Sequence, residues 1–360
     1  MTRRIPLHDL HVGAGARTAE FAGYEMPMRY EAGAVAEHLH TRSAAGLFDV
    51  SHMGVLTVSG NGVAEGLESV MPSAFLQLGE GRNRYSFLTN ESGGVIDDLM
   101  VTNRGDHFQL VVNAATKEAD LAHLRSHLSG LEVSNLLPTA ILAIQGPEAV
   151  AVVADLAPKV AGLAFSHGAS ITLAGVEVWA SRSGYTGEDG LELVIDADGA
   201  EAVAQLLLAD ARVALAGLAA RDSLRLEAGL CLYGHDLSEG ISPVEAGLTW
   251  AMQKRRREEG GFPGDEVILR QLADGPPRRR IGFTTERRPV REGSTLHLPD
   301  GEEVGFVSSG GFGPSTDQPI GMAYVATEHA DRATFTARQR GKEVAITVAD
   351  LPFVPHRYAR

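Results

Sequence analysis

Short apolar runs predict several β-strands upstream of residue 275. Four of these runs have the length and the β-branched content of buried strands, at residues 55–58, 108–112, 140–144 and 191–195. Residues 171–178 hold two further runs on either side of an Ala-Gly pair, which predicts a β-hairpin.

Helical periodicity alternates with these strands. Apolar residues recur on one helical face in residues 63–71 and 121–128, and residues 199–212 form a third predicted helix. Hairpins interleaved with helices favour an α+β fold over a doubly wound parallel sheet. We therefore predict an α+β fold for this part of the chain.

The pattern changes near residue 275, where we place a domain boundary. Beyond it lie short strand-like runs, such as residues 280–284 and 344–348, punctuated by glycine and proline. This pattern is typical of a small β-barrel or sandwich.

Composition narrows the class of protein. The chain has 360 residues, 44% of them hydrophobic and 22% charged, which predicts a folded protein of two or three domains. Its net charge of −14 argues against a nucleic-acid partner, because phosphate binding needs a basic surface. A single cysteine, Cys231, excludes an intramolecular disulfide and a cysteine metal cluster.

The sequence predicts neither a membrane-spanning segment nor a signal peptide. No apolar run approaches the roughly 20 residues that span a bilayer, so we expect no membrane partner. The two arginines at positions 3 and 4 are not followed by an apolar core, so we expect no signal peptide and a cytoplasmic protein.

Positive charge is concentrated in residues 254–291, which hold 11 Lys and Arg against 6 Asp and Glu. The basic runs 254–257 and 278–280 stand among glycines and prolines, a composition typical of a connecting region. This region is either a solvated linker or a surface that docks an acidic partner.

Familiar catalytic motifs are weak or missing. The glycines of residues 60–66 resemble a dinucleotide loop, but the third comes one position late, and a tight turn before a helix explains them. His38 and His40 lack metal-ligand spacing and are predicted to be solvated on an amphipathic helix. The chain has no Gly-x-Ser-x-Gly nucleophile elbow. We therefore expect no metal site.

Two acidic residues stand inside a predicted strand. Asp97 and Asp98 follow the turn at 90–94 and have apolar neighbours, so alternation should point them to opposite faces. A buried carboxylate is costly without a partner, which leaves either a functional site or a structural hydrogen-bond acceptor.

Two more polar residues stand in sequence contexts that suggest a functional site. Glu192 lies inside an apolar strand after a Gly-Tyr-Thr-Gly turn. Arg221 lies at the start of a predicted helix, where its positive charge is unfavourable because it opposes the helix dipole. We therefore expect Arg221 to have an anionic partner. That partner is either a ligand or a neighbouring Asp222 or Glu227.

One set of motifs is spread over the chain, at residues 21–27, 49–53, 93–99, 112–114, 145–147, 184–188, 220–227 and 232–236. In this order, the motifs resemble those of the T-protein aminomethyltransferases of the glycine cleavage system. The similarity runs from about residue 5 to the C-terminus and does not depend on any single motif.

The resemblance implies a multidomain clover-leaf folate-binding fold with a C-terminal β-barrel. Residues 1–265 would form the folate-binding aminomethyltransferase region, as two interleaved α+β subdomains, and residues 276–360 the barrel. It also implies glycine catabolism and one-carbon metabolism. An aminomethyl group on the lipoyl arm of the H-protein would be split, releasing ammonia and passing the one-carbon unit to the cosubstrate tetrahydrofolate. We expect a monomer.

The resemblance also implies roles for individual residues. The second aspartate of the pair, Asp98, would be catalytic and would accept or relay a proton near the folate nitrogens. Glu192 would accept hydrogen bonds from the pterin ring, and aromatic or thioether side chains would cover its faces. The implied folate-binding residues are Met53, Tyr85, Asn113, Tyr185, Glu192, Arg221 and Tyr358.

Some positions depart from the family pattern. Residues 308–314 read Ser-Ser-Gly-Gly-Phe-Gly-Pro where the family has Thr-Ser-Gly-x-Phe-Ser-Pro, and His235 replaces a glutamine. Two alternatives remain: another folate-dependent demethylase of the same superfamily, or a folate-binding iron–sulfur assembly factor. The sequence around Cys231 resembles the motif of the latter faintly, but it lacks the motif's lysine.

Overall fold

The computed structural model describes residues 2–135 and 138–359. Helices and strands alternate through the first 275 residues of the chain, and strands dominate the remainder. The α-helices are α1 (His8–Gly13), α2 (Ala34–Ser43), α3 (Val63–Val70), α4 (Lys117–His127), α5 (Ala149–Leu156), α6 (Ala197–Leu208), α7 (Leu218–Glu227), α8 (Lys254–Glu259) and α9 (Asp265–Asp274).

The strands form three sheets and a barrel. They are β1 (Arg3–Arg4), β2 (Arg17–Phe21), β3 (Tyr24–Arg29), β4 (Ala45–Asp49), β5 (Gly54–Ser59), β6 (Asn83–Thr89), β7 (Val95–Asn103), β8 (Phe108–Val112), β9 (Glu132–Asn135), β10 (Thr139–Gln145), β11 (Gly168–Leu173), β12 (Val176–Ser181), β13 (Gly190–Asp196), β14 (Val213–Leu215), β15 (Arg278–Thr284), β16 (Thr295–His297), β17 (Glu303–Gly313), β18 (Gln318–Ala326), β19 (Thr334–Gln339) and β20 (Lys342–Ala349).

The strand order within each sheet defines the architecture. A five-stranded sheet runs β6-β7-β8-β5-β9, a six-stranded sheet runs β11-β12-β13-β10-β4-β14, and a small sheet runs β1-β3-β2. The last six strands close into a barrel in the order β15-β18-β17-β16-β19-β20. The chain is thus a mixed α and β protein with a C-terminal barrel, as the sequence predicted.

Each large sheet has its own core. In the six-stranded sheet, β10 is buried on both faces. Its even-numbered residues 140, 142 and 144 pack with α5 and α6, and Ile141 and Ala143 pack with α7. In the five-stranded sheet, α3 and α4 contribute the buried leucines 67 and 124. Burial of such apolar side chains contributes about 25 cal/mol per Å².

Helix α7 contacts both large sheets and the barrel. Ala220 and Leu224 of α7 pack in one cluster with Val55 of β5 and Ile141 of β10, so both large sheets meet at this helix. Farther along α7, Leu226 packs against Ile320 and other residues of the barrel. Side chains near α7 can therefore contact residues of both large sheets and of the barrel.

The strand predictions are confirmed. The four apolar runs lie in β5, β8, β10 and β13, and the predicted hairpin is the pair β11–β12, with Leu173 opposite Val176. The helix predicted for residues 199–212 differs, because α6 covers Ala197–Leu208. The Asp210 carboxylate accepts a hydrogen bond from the Arg212 backbone N–H, and this turn leads into β14.

The prediction that His38 is solvated is wrong. Its side chain is fully buried, and its ring nitrogens lie 2.7 Å from Ser223 Oγ and 3.0 Å from Glu227 Oε2. Ser315 Oγ of the barrel lies 2.9 Å from the same ring. Histidine 38 therefore links α2, α7 and the barrel. His40 is half-buried and contacts the Arg212 carbonyl.

The basic run 254–257 is only partly solvated. It forms α8, in which Arg255 makes an ion pair with Glu68 at 2.5 Å and Arg256 is buried beside the same residue. Lys254 and Arg257 remain exposed. The second basic run, 278–280, is not a linker either, because it begins strand β15 of the barrel.

In the described part of the chain, no helix is both long and apolar enough to cross a membrane.

Candidate active site

The meander β6-β7-β8 brings three of the predicted site residues together. Phe87 of β6 is opposite Asp98 of β7, and the neighbouring Tyr85 donates its hydroxyl hydrogen to Asp98 Oδ2 at 2.8 Å. Asn113, directly after β8, donates from its side-chain nitrogen to Asp98 Oδ1 at 2.9 Å. Both carboxylate oxygens of Asp98 are thus held in place.

Asn113 also binds the neighbouring Asp97. The Asp97 carboxylate accepts the Asn113 side-chain amide at 2.9 Å and the Asn113 backbone N–H at 3.1 Å. The two carboxylates still point to opposite faces of β7, as alternation predicts, because Asp98 lies opposite Phe87 and Asp97 lies opposite Leu88, and these two partners belong to different hydrophobic clusters. Ladder pairing with β8 stops at Met100, so the Asn113 amide can reach both side chains beyond that point.

The pKa of Asp98 is raised from 3.8 to about 7. Burial of the carboxyl group is the main cause, and the charge of Asp97 adds to it, while hydrogen bonds from Tyr85 and Asn113 oppose the rise. Part of the Asp98 surface stays accessible, so the group can meet a ligand. A carboxyl group with a pKa near 7 can both take up and release a proton at neutral pH.

The six-stranded sheet contributes a second group of predicted residues. Glu192 of β13 accepts a hydrogen bond from Ser183 Oγ at 2.7 Å, which orients its carboxylate. The Tyr185 hydroxyl donates to the carbonyl of Cys231. The guanidinium of Arg221 lies over the Tyr185 ring, 4.8 Å from its centroid, in a cation–π contact.

Arg221 has neither of the ion pairs proposed as its structural explanation. Asp222 pairs with Arg225 at 2.8 Å, and Glu227 is bound by residues of α2. In the described part of the chain, the buried Nη1 of Arg221 has no hydrogen-bond partner. Burial lowers the pKa of Arg221, and the charge of Glu192 opposes that shift. A buried unpaired guanidinium nitrogen is costly, so this arrangement suits a polar ligand.

The other two predicted folate-binding residues, Met53 and Tyr358, pack against different parts of the fold. Met53 packs on the hydrophobic cluster that contains Ala220 and Leu224 of α7. Tyr358 stacks on the ring of Phe165, with centroids 4.4 Å apart, and lies 5.0 Å from the ring of His356. These contacts do not join Tyr358 to the Asp98 group, so its folate role stays a prediction.

Two residues of the site were missed from the sequence. Trp250 is 65% exposed and stacks on Tyr85, with ring centroids 5.5 Å apart. His52 is buried, and burial together with the nearby charge of Arg221 lowers its pKa to about 3, so it is neutral. The chain has only two tryptophans, and that scarcity was the one available signal for Trp250.

Within residues 2–135 and 138–359, no group of three or more His, Cys, Asp or Glu side chains is arranged to hold a metal ion. The polar groups that face the site are carboxylates, an amide and a guanidinium, which suit hydrogen bonding to a heterocyclic ligand.

A chain with two large sheets, a closed C-terminal barrel and a carboxylate held between tyrosine and asparagine matches known family models along most of its length. Residues 7–256 match the GCVT N-terminal domain, and residues 278–355 match the glycine cleavage T-protein C-terminal barrel domain.

Curated relatives agree with these models. The chain is 40% identical over 380 residues to the mitochondrial aminomethyltransferase of Dictyostelium discoideum, covering 99% of this chain and 94% of that protein. It is 43% identical over 364 residues to the probable mitochondrial aminomethyltransferase of Schizosaccharomyces pombe, with the same coverage.

A solved structure extends the similarity to three dimensions. The crystal structure of glycine cleavage system aminomethyltransferase T from Bartonella henselae superposes with a TM-score of 0.95 at 42% identity, covering all of both chains. The chain therefore belongs to the glycine cleavage T-protein family of aminomethyltransferases.

Proposed function

We propose that this enzyme transfers the one-carbon unit of an aminomethyl group from the lipoyl arm of the H-protein to tetrahydrofolate. Bonds form between the methylene carbon and two folate nitrogens, while the carbon–nitrogen bond to ammonia and the carbon–sulfur bond to the lipoyl arm break. The two protons lost by the folate nitrogens balance those gained by ammonia and by the dihydrolipoyl thiol.

The observation that carries this function is the environment of Asp98. Its pKa of about 7 lets the carboxylate accept a proton from a folate nitrogen and return it to a leaving group. Tyr85 and Asn113 hold both of its oxygens, so its orientation is fixed before substrate binds. A nucleophile from the protein is not required, because the folate nitrogens attack the carbon.

The second group of residues suits the folate itself. Glu192 is oriented by Ser183 and would accept hydrogen bonds from the amine and amide groups of the pterin. Arg221 Nη1, which is buried and has no hydrogen-bond partner among the described residues, would donate to a ligand carbonyl. Tyr85 and Tyr185 supply flat apolar surface for the ring.

Neither alternative function gains support. The relatives compared above carry aminomethyltransferase names rather than demethylase names. An iron–sulfur assembly role for the cysteine motif would need an accessible thiolate. Cys231 is instead buried, and burial raises the pKa of its thiol to about 12.

We also propose that the protein acts as a monomer in the cytoplasm, with domains at residues 1–265 and 276–360. The single cysteine is compatible with a reducing compartment. The relatives named above are mitochondrial proteins, and those names describe their own locations.

The protein should bind reduced folate without metal. Calorimetric titration with 5-formyl-tetrahydrofolate should give the same heat with and without a chelator, because the facing groups are organic hydrogen-bonding partners. Glu192→Gln should weaken binding about 10-fold, since a hydrogen bond to a charged group is lost. The matched control, Glu177→Gln, removes an exposed carboxylate from neighbouring β12 and should change nothing. Folded protein that gives no heat at millimolar ligand would contradict folate binding.

The exposed charges of α8 should affect the H-protein and not folate. Lys254→Glu combined with Arg257→Glu should raise KM for the H-protein about tenfold at low salt and less at high salt, because long-range charge steers association. Arg255 and Arg256 are left unchanged because they hold Glu68 inside the fold. Arg279→Glu, a similar charge reversal on the exposed side of the barrel, is the control. An unchanged KM at low salt would mean that this surface is only solvated.

A further inference from the structure

A buried carboxyl group behind the site has no role in the mechanism described so far. Asp120 lies in the first turn of α4 and is fully buried. In the described part of the chain, no N–H or hydroxyl group donates to either of its oxygens with ordinary hydrogen-bond geometry. The nearby Thr116 hydroxyl donates to the Asn113 carbonyl at 3.3 Å.

The neighbour that Asp120 does have is another acid. Its side chain lies within hydrogen-bonding reach of the carboxyl group of Asp97. Two carboxylates in contact repel each other unless one of them holds a proton, and that proton then forms the hydrogen bond between them. A shared proton is therefore the arrangement that satisfies both groups.

Neighbouring charges do not relieve this repulsion. Among the described residues, Asp97, Asp98 and Asp120 form no ion pair with Lys, Arg or His. Lys117, on the same helix, donates instead to the Tyr24 hydroxyl and the His52 carbonyl. The other titratable groups that face the three acids are Tyr85, Tyr185, Tyr233 and Cys231, whose pKa values are all raised, so they are neutral at pH 7.

The hydrogen-bond donors around the pair identify the protonated partner, and the pKa shift agrees with them. Burial, followed by the charge of Asp97, raises the pKa of Asp120 from 3.8 to about 9. Asp97 has the better acceptor environment, because the backbone and side-chain N–H groups of Asn113 both donate to it. The proton therefore resides on Asp120.

We propose that Asp120 is a positioning residue that stays protonated at neutral pH and donates a hydrogen bond to Asp97. Asp97 then remains ionised, holds the Asn113 amide, and leaves that amide to donate to Asp98. The proposal rests on the function proposed above, and it adds a residue that acts on Asp98 through two others. The negative charge preserved on Asp97 also keeps the pKa of Asp98 near neutrality.

Two substitutions of Asp120 test whether it acts as a hydrogen-bond donor to Asp97 or only as one more acidic side chain. Asp120→Asn keeps an N–H donor toward Asp97, so kcat should stay within about threefold of the wild-type value. Asp120→Ala removes the donor, so Asp97 should take up a proton itself and lose its charge. The pKa of Asp98 should then fall, the acidic limb of the kcat profile should move to lower pH, and kcat should drop about tenfold. KM for the H-protein should not change.

Thermal unfolding tests the protonation without any assay of turnover. A carboxyl group whose folded pKa lies above its unfolded value of 3.8 binds its proton more tightly when folded, so its contribution to stability is lost as pH rises toward about 9. The wild-type Tm should therefore fall more steeply between pH 6 and pH 9 than that of Asp120→Asn. Glu118→Gln, an exposed acid on the same helix, is the matched control and should follow the wild type.

The outcomes divide clearly. Asparagine rescue, a displaced acidic limb in the alanine variant and a flatter Tm profile for Asp120→Asn support the proposal. If Asp120→Asn is as slow as Asp120→Ala, or if its Tm profile matches the wild type, Asp120 is not a proton donor and the proposal is overturned. A wild-type enzyme that forms no methylene-tetrahydrofolate would instead refute the proposed function, while the Tm comparison would still decide the state of Asp120.

Discussion

Asp98→Asn should still bind folate, and its kcat should fall by about 10²- to 10⁴-fold, the usual effect of losing an acid–base group. This corresponds to about 3 to 5 kcal/mol of activation free energy. Asparagine keeps the size of the side chain and an oxygen for Tyr85, but it cannot take up a proton. Folate affinity measured by calorimetry and kcat measured with saturating substrates separate the two properties.

The pH dependence gives this prediction a second readout. As a base, Asp98 must be ionised, so wild-type kcat should decline as pH falls through about 7. That acidic limb should disappear in Asp98→Asn. In Asp97→Asn it should persist at lower pH, because the charge that raises the pKa of Asp98 has been removed.

Asp97→Asn is also the control for general electrostatic loss, since the two residues are adjacent and equally acidic. We expect it to slow turnover less than Asp98→Asn does. Equal rates for the two variants, or a slower Asp97→Asn, would show that Asp98 is not the catalytic residue.

The second large effect is expected on stability, at the joint between α7 and the barrel. Asp236 is fully buried and accepts hydrogen bonds from Arg225 at 2.8 Å, Ser308 at 2.5 Å and Ser309 at 2.8 Å. Asp236→Asn should destabilise the fold by about 3–5 kcal/mol, because it removes the buried counter-ion of Arg225 and leaves that buried charge with only its exposed partner Asp222.

The measurement is the midpoint of urea unfolding, followed by circular dichroism. Glu258→Gln is the matched control, because it breaks an exposed ion pair with Lys254 and should change stability by no more than about 0.5 kcal/mol. Equal midpoints for the two variants would mean that the buried pair contributes little to holding the barrel against α7.

Local patterns predicted the elements of this fold well, because strand and helix periodicity are properties of neighbouring residues. Strands such as β10 and β13 and helices such as α3 appear where the apolar spacing placed them. Contacts between distant segments were not accessible in the same way. His38 was expected in solvent, but its partners Ser223, Glu227 and Ser315 lie 185, 189 and 277 residues farther along the chain.

The site shows the same division. Spacing marked Asp97, Asp98, Glu192 and Arg221 as unusual, but their roles came from the resemblance to a family. Alternation predicted that the two aspartates point to opposite faces, but it could not predict that Asn113, beyond the end of the β7–β8 ladder, binds both of them.

Asp120 carried no signal in the sequence because an aspartate in the first turn of a helix is ordinarily a favourable surface residue. Only its burial beside Asp97 makes it unusual. The basic run 254–257 has the opposite history: its sequence favoured a solvated linker, but two of its side chains are held by a distant residue. Consecutive arginines read as a solvated stretch, but Arg255 and Arg256 pair with Glu68 on a distant helix.

The most direct test of the proposed function is to mix the purified enzyme with aminomethylated H-protein and tetrahydrofolate and measure the products. The enzyme should form 5,10-methylene-tetrahydrofolate and ammonia in equal amounts, and only when both substrates are present. If it forms none while binding folate normally, or if it produces methyl-tetrahydrofolate from a small methylated donor such as dimethylsulfoniopropionate, the proposed reaction is contradicted.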